Sequence, residues 1–249
     1  MSRSWDAAAY DRVSAPQLEW AERVLERLPL RGDETVLDAG CGSGRVTRLL
    51  LDRLPRGHVV AVDSAQSMVD HARASVDPER TTVFRADLAE LELDAPVDAV
   101  FSNAVFHWIE DHDALFARLH AALRPGGLLV AQCGGRGNVE RLHVAAREVA
   151  ASEPYAEHLA GWHGPWMFAG AEETAERLER AGFAEIRTWL EPYPVTPPDP
   201  LGFLRTVCLG PHLEQLPEEL RAAYVEAVCA RSGTRLDYVR LNIDAKKPR

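Results

Sequence analysis

From Thr35 to Gly134 short β-branched runs alternate with helical stretches, and this alternation narrows the fold more than any other feature of the chain. "TVLDAG", "HVVAVD", "TTVFRAD", "VDAVFSN" and "LLVAQCG" read as strands. "RVTRLLLDRLP", "SMVDHARASV" and "ALFARLHAAL" carry helical spacing between them, the last stopped by Pro125-Gly126-Gly127. Strands separated by helices imply a parallel sheet covered on both faces. Right-handed crossovers make it a doubly wound α/β sheet.

An earlier segment, Pro16 to Leu28, has helical spacing at Leu18, Ala21, Val24, Leu25 and Leu28. After Gly135 the rhythm loosens. "VERLHVAAREVAAS" and "ETAERLERAGF" read as helices around an aromatic, glycine-broken loop, "GWHGPWMFAG". "EIRTWLEPYPV" is a strand running into a proline cluster. Helices follow at about Leu201–Leu209 and Pro217–Ala230, and "LDYVRLNIDAKK" closes the chain as an alternating strand.

A single domain over 1–249 is therefore expected. Its core comprises about 30–135, 172–198 and 235–249, with an N-terminal helix within 1–29 and cap insertions at about 136–171 and 199–234. Lys and Arg number 28 against 38 Asp and Glu, a net charge of −10. That balance argues against nucleic acid as a partner, because phosphate binding leans on clustered cations. No apolar run approaches the ~18 residues that a membrane helix needs. The four cysteines, Cys41, Cys133, Cys208 and Cys229, show no CxxC or metal-type spacing, and reduced thiols in a cytoplasmic protein are the expectation. Nothing in the sequence sets an oligomeric state.

The first strand delivers Gly40, Gly42 and Gly44 to its carboxyl end, where open α/β sheets bind ligands. Glycine permits positive φ and close approach to the backbone, and the following helix presents free N–H groups there. Arg45 stands where a GxGxxG fingerprint would place its last glycine, and no GKS or GKT follows. The turn therefore suits a nucleotide-like ligand without a pyrophosphate. Asp63 ends the second strand, nineteen residues after Gly44, at the place for a ribose; the other reading is a helix N-cap, a role for which Ser64 competes. Asp87 ends the third strand and Asn103 the fourth. Four consecutive strands thus bring polar groups to one rim.

"VLDAGCGSG", "VVAVDSAQSM", "FRADL", "FSNAVFHWI" and "LRPGGLLVAQ" together resemble the ordered motifs of class I S-adenosylmethionine-dependent methyltransferases, over about residues 34–133. The resemblance implies a Rossmann-like seven-stranded sheet whose last strand, "LDYVRLNIDAKK", is antiparallel. It implies S-adenosyl-L-methionine as cofactor and S-adenosyl-L-homocysteine as product. Gly40 and Gly42 would face the methionine part, Asp63 with Ser64 the ribose, and Asp87 with Leu88 the adenine. Met68 would pack on the adenine face, Asn103 would line the floor, and Asp38 would orient the glycine loop. "WDAAAYDRV" and "FSNAVFHWIEDHDALFARLHAALRPGGLLVAQ" are further similar to the trans-aconitate methyltransferase subgroup, which esterifies small carboxylic acids. One departure is His107 before Trp108, where that subgroup more often has glutamine.

The implied activity is methyl transfer to a small-molecule acceptor, on a carboxylate or hydroxyl oxygen. A carboxylate needs no base, whereas a hydroxyl does, and His107 is the candidate base. His112 and His163 are weaker candidates, and "HWIEDH" has no third ligand that would make it a metal site. Tyr10, Trp108 and Trp166 are candidates for acceptor contact, with Trp162 and Phe168 beside Trp166 in the loop. Arg136, Arg205 and Arg235 are candidates to pair with an acceptor carboxylate. Two alternatives stay open: a protein that binds S-adenosylmethionine without catalysis, and a fold relative using a derivative of it for other chemistry.

Overall fold

The structure, a computed structural model, describes residues 15–249, with side chains from Trp20 onward. Strands β1 (Thr35–Ala39), β2 (His58–Asp63), β3 (Thr81–Arg85), β4 (Val97–Asn103), β5 (Leu123–Gly134), β6 (Ala184–Pro192) and β7 (Val239–Lys246) form one sheet. Their order is β3-β2-β1-β4-β5-β7-β6. β1 to β5 run parallel to one another, and β7 lies antiparallel between β5 and β6. This is the expected seven-stranded α/β sheet with an antiparallel last strand. The order reverses between β1 and β4, which fixes the crevice at their carboxyl ends as the place for a ligand. Register sets Ala39 opposite Val62 and Asp63 opposite Arg85, so the chain leaves these strands at one level.

Alternate residues of each strand feed two apolar layers. Val36, Val59 and Phe101 pack with Val24, Leu25 and Leu28 near α1 (Ala15–Glu26), Leu50 and Leu51 of α2 (Arg45–Arg53), and Ala72 of α3 (Gln66–Ser75). Leu37, Val62, Val100 and Leu241 pack against Leu115, Phe116 and Leu119 of α4 (His112–Ala122). A third apolar cluster belongs to the segments expected to form the cap. It joins Leu142 and Val149 of α5 (Glu140–Ala150) and Leu159 of α6 (Ala156–Leu159) to Phe203, Leu213 and Tyr224, and it includes Trp20. The remaining helix on the sheet, α7 (Ala171–Arg180), precedes β6.

Two details differ from expectation. The Pro125-Gly126-Gly127 break lies within β5, which begins at Leu123, because a register irregularity against β4 absorbs it and Gly126 takes φ +82°. The helix expected over Leu201–Leu209 divides into α8 (Pro200–Phe203) and a π-helical turn, Leu204–Cys208, before α9 (Gly210–Gln215). Pro211 has no N–H with which to continue an α-helical ladder, and the N–H of Leu209 instead reaches the carbonyl of Leu204 at 2.7 Å. The fold closes with α10 (Glu218–Ser232) packed beside α5.

Candidate active site

Backbone bonds shape the glycine turn. The N–H groups of Gly40 and Cys41 both donate to the carbonyl of Val62 at 2.9 Å, which ties the turn to the end of β2. The Asp63 carboxylate completes the brace: Oδ2 accepts from the N–H of Gly42 at 3.0 Å and Oδ1 from the N–H of Ala65 at 2.9 Å. Burial raises the pKa of Asp63, and these bonds work against the rise. Asp38 lies below the turn, buried, with Oδ2 accepting from Thr47 Oγ1 on α2 at 2.7 Å. Burial pushes its carboxyl up to about 7.

The two leading glycines are constrained differently. A Cβ on Gly40 (φ +85°) would lie 2.2 Å from Val105 Cγ2, so the side chain of Val105 already fills that space. A Cβ on Gly42 (φ +54°) would meet nothing within 4 Å. Open space in front of a bare backbone is what a cofactor lying on this turn requires.

Around the rim, Ser64 is exposed, and its carbonyl accepts from Arg85 Nε at 3.0 Å. Met68 is buried against Ala65 in a small cluster of its own, apart from the three main cores. Asp87 is exposed and uses Oδ1 to accept the N–H of Ala89 at 2.9 Å, while Leu88 enters the core behind it. Asn103 is half-buried at the end of β4, paired in register with Gln132. Tyr10 lies outside the described residues.

Beyond β4 the chain forms a cavity of about 60 Å³. Ala104, His107 and Trp108 line one side, and Asn138, Val139 and His143 a second. Trp166 and Phe168 of the glycine-broken loop, Trp20 of α1, and Tyr238 and Arg240 from the last strand segment complete most of the wall. Ala104 (φ 62°) and Val139 (φ 44°) both hold left-handed backbone conformations, costly for residues with a Cβ and most of all for a β-branched one. Two strained residues in one small cavity wall mark a place where geometry has been favoured over backbone comfort.

His107 is buried in a short 3-10 turn, Phe106–Trp108. Its Nδ1 accepts the N–H of Gly134 at 3.2 Å, so the ring proton resides on Nε2. Burial holds its pKa well below the ordinary histidine value, with the charge of Arg240 adding to the effect. The turn is itself braced, since His112 Nε2 donates to the carbonyl of Phe106 at 2.9 Å. The His107 ring stacks on Phe168 at 5.8 Å, and the N–H of Met167 donates to the His107 carbonyl at 2.9 Å, which fixes the loop to the turn. Gly134 is needed for this packing: a Cβ there would lie 2.8 Å from the Phe168 ring.

Arg240 is a buried residue of the cavity wall that has no place among the sequence candidates. Only 2% exposed, it lies with its guanidinium 4.3 Å from the Trp20 ring centroid and its Nε donating to Gln132 Oε1 at 3.2 Å. Gln132 is held in turn, since its Nε2 donates to Asn242 Oδ1 at 2.8 Å. Trp20 is 1% exposed, and its Nε1–H has no hydrogen-bond partner among the described residues. A guanidinium and an indole N–H thus share one buried wall of the cavity. The three arginines expected to meet a carboxylate lie elsewhere. Arg136 pairs with Glu173 at 3.1 Å, Arg205 lies 3.8 Å from Glu218, and Arg235 is exposed. His163 is also exposed, and no cluster suited to a metal ion occurs among the described residues.

These features meet a consistent set of relatives. A methyltransferase-domain family model matches residues 36–127. The trans-aconitate 2-methyltransferase of Azoarcus sp. (strain BH72) is 33% identical over 234 residues, covering 90% of this chain and 87% of that protein. That of Variovorax paradoxus (strain S110) is 31% identical over 228 residues, covering 89% and 86%. The chain belongs to the class I S-adenosylmethionine-dependent methyltransferases. Within them it is similar to the trans-aconitate methyltransferase subgroup.

Solved structures agree on the fold of this methyltransferase. Phosphoethanolamine N-methyltransferase 2 of Haemonchus contortus, in complex with S-adenosyl-L-methionine, is 20% identical with a TM-score of 0.65. The match covers 98% of this chain and 57% of that one. An S-adenosylmethionine-dependent methyltransferase from Mesorhizobium loti is 24% identical with a TM-score of 0.57, covering 92% and 97%. The enzyme uses S-adenosylmethionine to methylate a small molecule.

Proposed function

We propose that this methyltransferase esterifies a carboxylate of a small organic acid. The observation that carries the reading is the buried guanidinium of Arg240, stacked on Trp20 in the wall of the cavity that also holds His107. A guanidinium held by Gln132 and backed by an indole N–H is suited to a carboxylate, through charge-assisted hydrogen bonds in a water-poor setting.

S-adenosylmethionine supplies an activated methyl group when bound. Gly42 and Asp63 are the residues of this chain best arranged to hold it, with Met68, Asp87, Leu88 and Asn103 around the rim and Asp38 supporting the turn through α2. The protein's remaining work is orientation and exclusion of water. Arg240 and Trp20 would fix the acceptor carboxylate. His107, with its proton on Nε2, suits a hydrogen-bond donor to that carboxylate rather than a base, and an ionised carboxylate needs no base. Trp108, Trp166 and Phe168 would screen the site from solvent.

The test is to incubate the enzyme with S-adenosylmethionine and a panel of small carboxylic acids and treat the products with alkali. Methyl esters release methanol, whereas ethers and methylamines do not. Base-labile methyl incorporation is expected, with the acceptor KM raised at least tenfold in Arg240→Gln. Exclusively base-stable products would sink the reading.

A further inference from the structure

Resting on the carboxylate reading above, we propose that Arg27, Asn242 and Gln132 are positioning residues, which set the acceptor affinity of Arg240 through one directed chain of hydrogen bonds. None of the three lines the cavity.

The chain starts away from the cavity. Arg27, just past α1, donates from Nη1 to Asn242 Oδ1, from Nε to Asp244 Oδ1 at 3.0 Å and from Nη2 to the carbonyl of Ala131 at 2.8 Å. Asn242 Nδ2 donates to Glu191 Oε2 on β6 at 3.2 Å. A guanidinium can only donate and an ionised carboxylate can only accept, so the two ends of the Asn242 amide cannot exchange places. Its oxygen also receives Gln132 Nε2, at 2.8 Å, and this turns Gln132 Oε1 towards Arg240 Nε, 3.2 Å away. A cation and an anion at the far end thus decide how two buried amides point.

Strand placement holds the chain firm. Gln132 and Asn242 face each other in register on β5 and β7. The Gln132 carbonyl accepts, at 2.7 Å, the N–H of Ala104, one of the two strained residues in the cavity wall. Both amide side chains are buried, and two apolar ones would fill the space without taking amides out of water. What the amides add is direction. Arg240 needs it, because a planar guanidinium meets a carboxylate through paired bonds only when its fork is aimed. The Trp20 ring centroid, 4.3 Å from the guanidinium carbon, limits its tilt, and the bond at Nε limits its rotation in its own plane. A fork fixed in advance loses less freedom on binding the acid, so the effect falls on acceptor affinity.

The experiment measures kcat and acceptor KM for base-labile methyl transfer to cinnamate, 3-phenylpropionate, succinate and trans-aconitate. The variants are compared on whichever of these acids has the highest kcat/KM in the unaltered enzyme. Gln132→Leu is expected to raise that KM at least fivefold, with kcat and S-adenosylhomocysteine affinity each within twofold. Arg27→Met should raise it at least threefold, and Arg27→Lys, which can still donate to Asn242, should stay within twofold of the unaltered enzyme. Adding Gln132→Leu to Arg240→Gln should change KM less than twofold, because Gln132 acts through Arg240. If Gln132→Leu fails to fold, the Arg27 pair decides, at a side chain 21% exposed. An unchanged KM in Gln132→Leu and Arg27→Met, or a full further increase in the double variant, would overturn this inference and leave Arg240 its role. So would a parallel loss of S-adenosylhomocysteine affinity, the mark of a merely structural part. An unchanged KM in Arg240→Gln, or no methyl ester from any of the four acids, would overturn the carboxylate reading, and this inference with it.

Discussion

The N–H of Gly42 donates to Oδ2 of Asp63 at 3.0 Å, so the carboxylate proposed to meet a ribose braces the turn on which the cofactor would lie. Its other oxygen accepts from Ala65 ahead of α3. Ala65 is the N-cap of that helix and receives no side-chain cap bond, so neither Asp63 nor Ser64 fills the capping role that competes in the sequence. Asp63→Ala is expected to weaken S-adenosylhomocysteine binding by about 1–3 kcal/mol, since it removes charged hydrogen bonds and loosens Gly42. Asp63→Asn keeps one acceptor and should fall between the two. Calorimetric titration checks this, and unchanged affinity in Asp63→Ala would remove the residue from the site.

Gly40 and Gly42 make a matched pair of tests. Alanine at Gly40 must displace Val105, 2.2 Å from the new Cβ, as well as accept φ +85°. The expected result is a fold destabilised by more than about 2 kcal/mol. Alanine at Gly42 meets nothing and carries only the strain of positive φ, about 1 kcal/mol. Its methyl group enters the open space instead, so cofactor affinity should drop at least tenfold while urea denaturation changes little. Full cofactor affinity in Gly42→Ala would mean that the cofactor does not cross this turn.

Asp63 and the glycine turn were legible in the sequence because strand ends, turns and helix starts leave local signatures. Arg240 was not. In "LDYVRLNIDAKK" it reads as an ordinary polar position of an alternating strand, and its burial follows only from β7 lying between β5 and β6. Trp20 escaped for a related reason: the helical stripe Leu18, Ala21, Val24, Leu25 and Leu28 does not include it, and its place depends on Arg240 and the cap cluster. The π-helical turn was hidden because Pro211, which prevents continuation of the ladder, comes after the turn it reshapes. Long-range placement decided each of these cases, and local pattern carries little of it.

Asp38 predicts a pH effect of definite sign. In the fold its carboxyl is raised to about 7 by burial, against 3.8 in an unfolded chain. Between those values the folded state keeps a proton that the unfolded state has lost, so the contribution of Asp38 to stability falls as pH rises through the window. Asn at this position retains an acceptor for Thr47 and removes the titration. Asp38→Asn should therefore gain stability over the unaltered protein as pH goes from 4 to 8, by up to about 4 kcal/mol. Urea midpoints for both proteins across that range test it. A difference independent of pH would show that Asp38 is ionised throughout.

His107 separates donor from base. Gly134 occupies Nδ1 as a 3.2 Å donor, and burial with Arg240 nearby keeps the ring neutral, so Nε2 offers a proton and has no lone pair with which to take one. With a carboxylic acid acceptor, kcat/KM should stay flat between pH 6 and 8.5, where both the acid and the imidazole keep one protonation state. His107→Gln, whose amide still donates, should cost no more than about 1–2 kcal/mol in transition-state stabilisation, or roughly 5- to 30-fold in rate. His107→Ala should cost more through the lost Phe168 stack, 5.8 Å between centroids. A general base behaves otherwise: its loss lowers the rate by about 10²–10⁴. It would also leave an acid limb in the pH profile that disappears in His107→Gln. Observing that limb, together with a loss of such size in His107→Gln, would assign the proton to the acceptor and make a hydroxyl, not a carboxylate, the group that is methylated.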